Sequence, residues 1–370
     1  MIPIAGLHIP ALAPEGGQLE LAERIYGFAV IGCGNISDTH CEAIQRLPNA
    51  KLVAVVDTLE EAATAKAEKW GCEAYTDLEA VLAREDVDVV NVVVPSGLHA
   101  AIGVRAAQAG KHVITTKPID VTLEAIDELI LACRAAGVRL GATHQLRSYP
   151  VYRRIKAAID SGRLGRLLFG AAVVPWHRSR EYYAGTWRGT WALDGGGALM
   201  NQSIHYVDLL VWLLGDVEAV AGFTDTLIHA IETEDSASAA LRFRNGAQGL
   251  LRGATCTYRG YPARLEIHGE RGTIRIVGDE VRLWDVEGEE IEDNPLAGKE
   301  GGASDPLKGM AELAVEAHMA QIGDVLRAIE ENREPELNGL EARRAVEVIL
   351  AIYQSSREGR VVHLPLKPAP

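Results

Sequence analysis

Several protein classes are excluded by what this sequence lacks. It has five cysteines in 370 residues, Cys33, Cys41, Cys72, Cys133 and Cys256, an odd and widely spaced set with no C-x-x-C pair. That pattern argues against a disulfide framework and a zinc knuckle, and it fits reduced thiols in the cytosol. No apolar run approaches the roughly eighteen residues that a membrane span needs. Met1 to Glu23 carry no basic stretch ahead of an apolar one, so no secretory leader is expected and the expected location is the cytoplasm. Basic clusters are missing too. The longest are pairs such as Arg153-Arg154 and Arg343-Arg344, set against 37 Lys and Arg, 51 Asp and Glu and a net charge of −14. An acidic surface of that size repels phosphate backbones and anionic bilayers, so neither nucleic acid nor membrane is an expected partner. No H-E-x-x-H or comparable ligand spacing occurs, and no metal site is expected.

What the chain does have is core material. Apolar residues make up 48% and mean hydropathy is +0.02, enough for a packed interior. At 370 residues the chain exceeds what one hydrophobic core usually organises, so two domains are expected. From Gly27, β-branched runs at Phe28 to Ile31, Leu52 to Val56 and Val87 to Val94 have uncharged centres, as strands buried on both faces do. Helical stretches alternate with them at Ile36 to Leu47, Leu59 to Trp70, Leu78 to Arg84, Ala100 to Ala109 and Leu123 to Ala136. Gly71, Gly110 and Gly137 stand where helix C′ residues would. This alternation predicts an α/β domain with a doubly wound parallel sheet over residues 25–148, behind an N-terminal extension of residues 1–24.

After Pro150 the texture changes. A helix at Val151 to Ile159 leads into strand runs at Leu167 to Val174, Glu218 to Thr226, Ala237 to Arg244, Gln248 to Thr257, Arg264 to His268 and Thr273 to Val277. Strands in succession predict a second domain of α+β type, with a large, mostly antiparallel sheet, over residues 149–370. Helices are expected at His205 to Leu214, Met310 to Asn332 and Leu340 to Arg357. Glu287 to Lys308, acidic and Gly-rich with two prolines, reads as a mobile surface loop.

The chemistry starts at Gly32-Cys33-Gly34-Asn35-Ile36-Ser37, between the first strand and the first helix. Gly32 permits a tight turn, Gly34 lets backbone approach a pyrophosphate, and the amides of Asn35 and Ile36 open a helix whose positive end attracts phosphate. Asp57 ends the second strand where a carboxylate accepts hydrogen bonds from the adenosine ribose; it is also placed to cap the next helix. A carboxylate there repels a 2′-phosphate, so NAD is the expected cofactor rather than NADP. Pro95 and His99 follow the fourth strand at the sheet's carboxyl edge, where ligands bind in open α/β sheets. His99 is equally compatible with a solvent-facing helix start.

Two further motifs, Thr115-Thr116-Lys117-Pro118 and Gly195-Gly196-Gly197-Ala198-Leu199-Met200-Asn201-Gln202-Ser203-Ile204-His205-Tyr206-Val207-Asp208, joined to the fingerprint, resemble the glucose–fructose oxidoreductase / inositol dehydrogenase (Gfo/Idh/MocA) family from Gly27 to Pro365. The resemblance implies a Rossmann domain, a second domain with a large open sheet through which homodimers or homotetramers form, and hydride transfer between NAD(P) and a secondary carbon of a sugar or cyclitol. It implies that Lys117 orients the reacting hydroxyl and shares its proton, and that His205 is the general base. Physics supports both, since a cation stabilises a developing alkoxide and an imidazole accepts a proton near neutral pH. Two departures stand out. Thr116 replaces the usual Glu before the lysine, and Asn201 replaces the Asp found four residues before the histidine in inositol dehydrogenases. Asn201 can position substrate or bond to His205 but cannot take a proton. The Asn form resembles members that act on nucleotide-linked hexuronates or other glycosides.

Secondary candidates are Gln145 and Arg147, expected to face the crevice for cofactor and substrate respectively, and the segment containing Trp176, Arg178, Tyr183, Trp187 and Arg188. Aromatic faces suit a sugar ring and arginines suit carboxylate or phosphate; such segments also plug sheet edges or interfaces. In some relatives the pair matching Trp187-Arg188 reaches the cofactor. The expected function is therefore NAD-dependent oxidation of a secondary hydroxyl of a sugar, glycoside or cyclitol, a small-molecule carbohydrate. The alternatives are an NAD-retaining glycosidase or sugar–sugar oxidoreductase, and a non-catalytic NAD-binding sensor.

Overall fold

The computed structural model describes residues 24–288 and 306–366. The expected N-terminal extension, apart from Arg24, and positions 289–305 of the expected surface loop lie outside the described residues.

The first half runs β1 (Tyr26–Ile31), α1 (Ser37–Arg46), β2 (Ala50–Val56), α2 (Glu60–Trp70), β3 (Glu73–Tyr75), α3 (Leu78–Leu82), β4 (Val89–Val92), α4 (His99–Gln108), β5 (His112–Thr116), α5 (Leu123–Ala136) and β6 (Leu140–Thr143). Gly71 and Gly137 end α2 and α5 in the left-handed conformation, which glycine adopts without a Cβ penalty. The six strands are parallel in the order β3-β2-β1-β4-β5-β6. The order reverses between β1 and β4, so a crevice opens at their carboxyl ends. β3, three residues on the sheet edge and largely exposed, is too short to leave a periodic signal.

The second half contains α6 (Pro150–Asp160), β7 (Leu167–Pro175), the short α7 (Arg180–Tyr183), a π-helical turn Ala198–Ser203 that runs into α8 (Ile204–Leu214), strands β8 (Val217–Asp225), β9 (Ser236–Phe243), β10 (Gln248–Ala254), β11 (Arg264–Gly269), β12 (Gly272–Val277) and β13 (Glu280–Val286), helices α9 (Pro306–Glu330) and α10 (Gly339–Glu358), and β14 (Val362–His363). The eight strands lie in the order β13-β12-β11-β7-β10-β9-β8-β14 and are antiparallel except for the β7–β10 pair. Along β9, Ala237, Ala239, Leu241 and Phe243 point inward while Ser238, Ala240 and Arg242 are exposed. α8 packs so closely on β7 that a Cβ at Gly170 would lie 2.7 Å from Leu214. The opposite sheet face leaves Phe223 and Leu250 exposed, at 76% and 51%.

Elements from beyond the expected division at 148/149 pack on the first half. α9 covers the parallel sheet: Val315, Ile322, Val325 and Leu326 share a core with Phe28, Val30, Val55 and Val89. The segment Trp176 to Asp194 starts alongside the end of β10, where the Trp176 amide donates to Ala254 O at 3.1 Å, and ends against the nucleotide-binding half, where the Gly97 amide donates to Leu193 O at 2.9 Å.

Gly97 and Gly34 form a matched pair. A Cβ on Gly97 would lie 2.2 Å from the backbone oxygen of Ala192, whereas one on Gly34 meets nothing within 4 Å. Gly97→Ala is expected to cost about 1–3 kcal/mol by overpacking, and Gly34→Ala to stay within about 0.5 kcal/mol of the parent. Urea unfolding of the two variants checks this.

Candidate active site

At the carboxyl end of β1, Gly32 adopts φ +103°, and a Cβ there would lie 2.7 Å from Val93 O. The next residues turn outward: Gly34, Asn35 and Ile36 are exposed at the head of α1, where no side chain caps the first turn. Free amides with an open approach fit a pyrophosphate. Asp57 is fixed beside them, accepting from the Cys33 amide at 2.9 Å and the Leu59 amide at 3.0 Å. Each carboxylate oxygen keeps a lone pair for a ribose hydroxyl. Pro95, after β4, and Gln145, after β6, are half-buried along the same edge. This arrangement fits a dinucleotide.

Across the crevice, the second half supplies the segment before α8. The three glycines at 195–197 are sterically required; at Gly197 a Cβ would lie 2.0 Å from Glu234 O. The π-helical turn that follows widens the backbone, a feature common at functional sites, and the carbonyl of Asn201 accepts a hydrogen bond from Lys117 Nζ. The Asn201 side chain turns away from His205. Its amide donates to Asp194, and its oxygen accepts from Gln202 Nε2 at 2.6 Å. Asp194 is buried, receives the Gly189 amide at 2.8 Å and attracts Lys117.

Burial pulls the Lys117 ammonium down to about 8, with Asp194 opposing and Arg178 and Arg188 reinforcing the shift. His205 is 9% exposed. Burial, then the positive charge of Lys117, pushes its pKa well below the ordinary imidazole value, so the ring is neutral at neutral pH. Its Nδ1 is buried without a hydrogen-bond partner among the described residues, leaving Nε2 as the nitrogen available to a ligand. Beneath this segment, Glu234 accepts from the amides of Gly197 at 3.0 Å and Leu199 at 2.7 Å and from Tyr353 OH at 2.9 Å. Burial raises its carboxyl to about 7 despite those bonds.

Three expected site residues are placed elsewhere. Arg147 does not face the crevice: it is 2% exposed, and its guanidinium binds Asp208 through Nε at 2.8 Å and Nη2 at 2.7 Å. A buried carboxylate on α8 requires a cation, and Arg147 is consumed there. His99 faces neither cofactor nor solvent. It is fully buried, with Nδ1 2.7 Å from Pro118 O and Nε2 2.8 Å from Val94 O, tying the loop after β4 to the loop bearing Lys117. Tyr183 points into the fold, its hydroxyl 3.0 Å from Thr255 Oγ1 and its ring 4.9 Å from that of His229.

Its neighbour Tyr182 lies nearer the site, accepting from Gln202 Nε2 at 3.1 Å. The guanidinium of Arg188 lies 4.7 Å over Tyr182 and 5.2 Å over Trp187. That of Arg178 lies 5.6 Å over Trp176 and bonds to Gln202 Oε1. Stacking of this kind holds guanidinium planes while leaving donors for an anion. Sequence reasoning gave no role to Asp194, Gln202, Glu234 or Tyr353, and it placed His144 in a candidate segment without a role of its own. Asp194 stands immediately before the glycine motif, which is a usable signal; Glu234 arrives from the loop before β9 and Tyr353 from α10, and they leave none.

Fold and site together define a two-domain, dinucleotide-binding oxidoreductase. Residues 26–144 match the family model described as oxidoreductase family, NAD-binding Rossmann fold, and residues 152–275 match the GFO/IDH/MocA C-terminal domain. The chain belongs to the Gfo/Idh/MocA family. It is similar to D-apiose dehydrogenase of Paraburkholderia graminis, with 28% identity covering 91% of this chain and 89% of the relative. Inositol 2-dehydrogenase of Rhizobium meliloti is also 28% identical, over 91% of this chain and 98% of the relative. Among solved structures, the WlbA dehydrogenase from Bordetella pertussis, in complex with NADH and UDP-GlcNAcA, superposes with a TM-score of 0.83. That match is 35% identical and covers 93% of this chain and 99% of that one.

Removing one partner of the buried pair leaves an uncompensated charge, so Arg147→Ala is expected to cost about 3–5 kcal/mol in urea unfolding, with Asp208→Asn in the same chain recovering part of the loss. Glu234 predicts a pH dependence. A carboxyl with a pKa of 4.5 unfolded and about 7 folded binds more protons in the folded state between those values. Its contribution is complete below pH 4.5 and is lost as pH rises through about 7. Unfolding midpoints measured across this window should fall for the parent and flatten in Glu234→Gln.

Proposed function

We propose that the protein uses NAD to oxidise, or in reverse reduces, a secondary hydroxyl carbon of an anionic, nucleotide-linked sugar, with Lys117 and His205 as the proton-transfer pair. One observation carries this reading: Lys117 Nζ, reaching across from the nucleotide-binding half, donates to the carbonyl of Asn201, four residues before the buried imidazole of His205. The preference for NAD rests on Asp57, whose anchored carboxylate repels a 2′-phosphate. The substrate class rests on Arg178 and Arg188, stacked on aromatic rings at the crevice, and on the 35% identical relative solved with UDP-GlcNAcA. Phe223 and Leu250 on the open sheet face support a homodimer or homotetramer assembled through that sheet.

NAD supplies the hydride acceptor. Lys117 donates a hydrogen bond to the substrate oxygen, stabilising the charge that grows there as the carbon–hydrogen bond breaks. His205 Nε2 takes the hydroxyl proton and becomes an imidazolium. Asn201, braced by Asp194 and Gln202, fixes the carbonyl that aims Lys117.

Mixing the protein with NAD and a panel of a UDP-linked N-acetylhexosaminuronate, D-apiose and myo-inositol should give NADH absorbance most rapidly with the nucleotide-linked acid. Lys117→Met and His205→Ala are each expected to lower kcat about 10²- to 10⁴-fold. Because Lys117 loses its proton at about 8, kcat/KM should decline above that pH. Turnover that survives the double substitution overturns the mechanism, and product without accumulating NADH points to cofactor-retaining chemistry.

A further inference from the structure

We infer that His144 is the positioning residue of His205: it receives the Nδ1 proton of that ring, with Asp208 behind it, and so keeps Nε2 free for the substrate hydroxyl. The inference rests on the reading of His205 as proton acceptor.

His144 directly follows β6 and is 1% exposed, yet neither of its ring nitrogens has a hydrogen-bond partner among the described residues. The same is true of His205 Nδ1. Two buried imidazoles with unpaired nitrogens are costly unless they serve each other. The rings meet edge to face with centroids 6.4 Å apart, a separation that one bridging water spans. Catalytic hydrogen bonds are often long before substrate binds.

The far side of His144 is also defined. Its Nδ1 lies 3.6 Å from Asp208 Oδ2, and Asp208 is itself held by Arg147. A carboxylate there favours the tautomer with the proton on Nδ1 of His144, leaving its Nε2 lone pair as acceptor for His205 Nδ1–H. The resulting row, Asp208 to His144 to His205, orients the ring and stabilises the imidazolium that forms during oxidation, as a carboxylate does behind a catalytic histidine. Asp208 remains ionised because Arg147 pairs with it.

Other groups facing this row are Lys117 from the loop after β5, His318 and Gln321 from α9, and Glu341 and Arg344 from α10. Gln321 donates to the His144 backbone oxygen at 2.7 Å, which holds the backbone and leaves the ring free. Lys117, His144 and His318 would each disfavour the imidazolium at His205 when charged; burial keeps His144 neutral, so in the proposed row it acts as a hydrogen-bond acceptor with the Asp208 carboxylate behind it.

The test compares His144→Phe, which fills the space without a hydrogen bond, and His144→Gln, which can donate toward Asp208 and accept from His205. In the substrate assay, His144→Phe should lower kcat at least tenfold while KM and NADH affinity stay within about twofold, and His144→Gln should restore most of the loss. Without Asp208 behind it His205 is a weaker base, so the acid limb of kcat should move to lower pH in His144→Phe. Ring-¹⁵N NMR of the protein without substrate should show His205 protonated on Nδ1 in the parent and in His144→Gln, and exchanging between tautomers in His144→Phe. A locked tautomer in a protein that turns over no sugar would support this inference while sinking the proposed function. An unchanged tautomer and pH profile in His144→Phe overturns the inference. So do equal losses in both variants accompanied by equal drops in thermal stability, the signature of packing alone.

Discussion

The site depends on how a lysine is kept cationic away from bulk water. Lys117 is drawn down by burial, and two groups from the opposite half resist that pull: the carbonyl of Asn201, which accepts from Nζ, and the buried carboxylate of Asp194. Because Lys117 follows β5 while Asn201 and Asp194 precede α8, this one polar contact bridges the crevice. Its geometry then constrains the rest. The π-helical turn presents the Asn201 carbonyl, the glycines let the chain pass close to Val121, Tyr353 and Glu234, and Glu234 with Tyr353 secures the start of the turn from below.

The floor of the crevice follows the same logic of paired burial. Asp208 on α8 is neutralised by Arg147, so α8 can carry His205 and Asp208 into the interior together. The absence of Glu before Lys117 does not leave the lysine without a carboxylate; Asp194 supplies one from another element. On the nucleotide side the polar requirements are met by backbone, with Asp57 fixed by two amides and the head of α1 left open.

Much of the fold was legible because it is periodic. Uncharged β-branched runs and left-handed glycine stops marked the parallel sheet, and alternation along β9 marked an inner and an outer face. The short edge strand β3 and the half-exposed β13 carried too little pattern to register. The docking of α9 on the first sheet was invisible for a different reason. Its apolar stripe says that the helix is buried, and a stripe of Val and Leu does not encode which sheet receives it.

The sequence by itself carried the family resemblance and the places of the groups it implies: the glycine turn, Asp57, Lys117, Asn201 and His205 stand in short contiguous motifs that are readable without the fold. Only the tertiary structure decided what each long or distant polar group does. Arg147 went to a buried carboxylate rather than to the crevice, His99 became a tie between two loops, and Asp194, Glu234 and His144 converged on the site from separate elements. The physical reason is that burial makes an unpaired polar group costly, and the available partner is set by which elements meet in space, a relation that no local spacing contains.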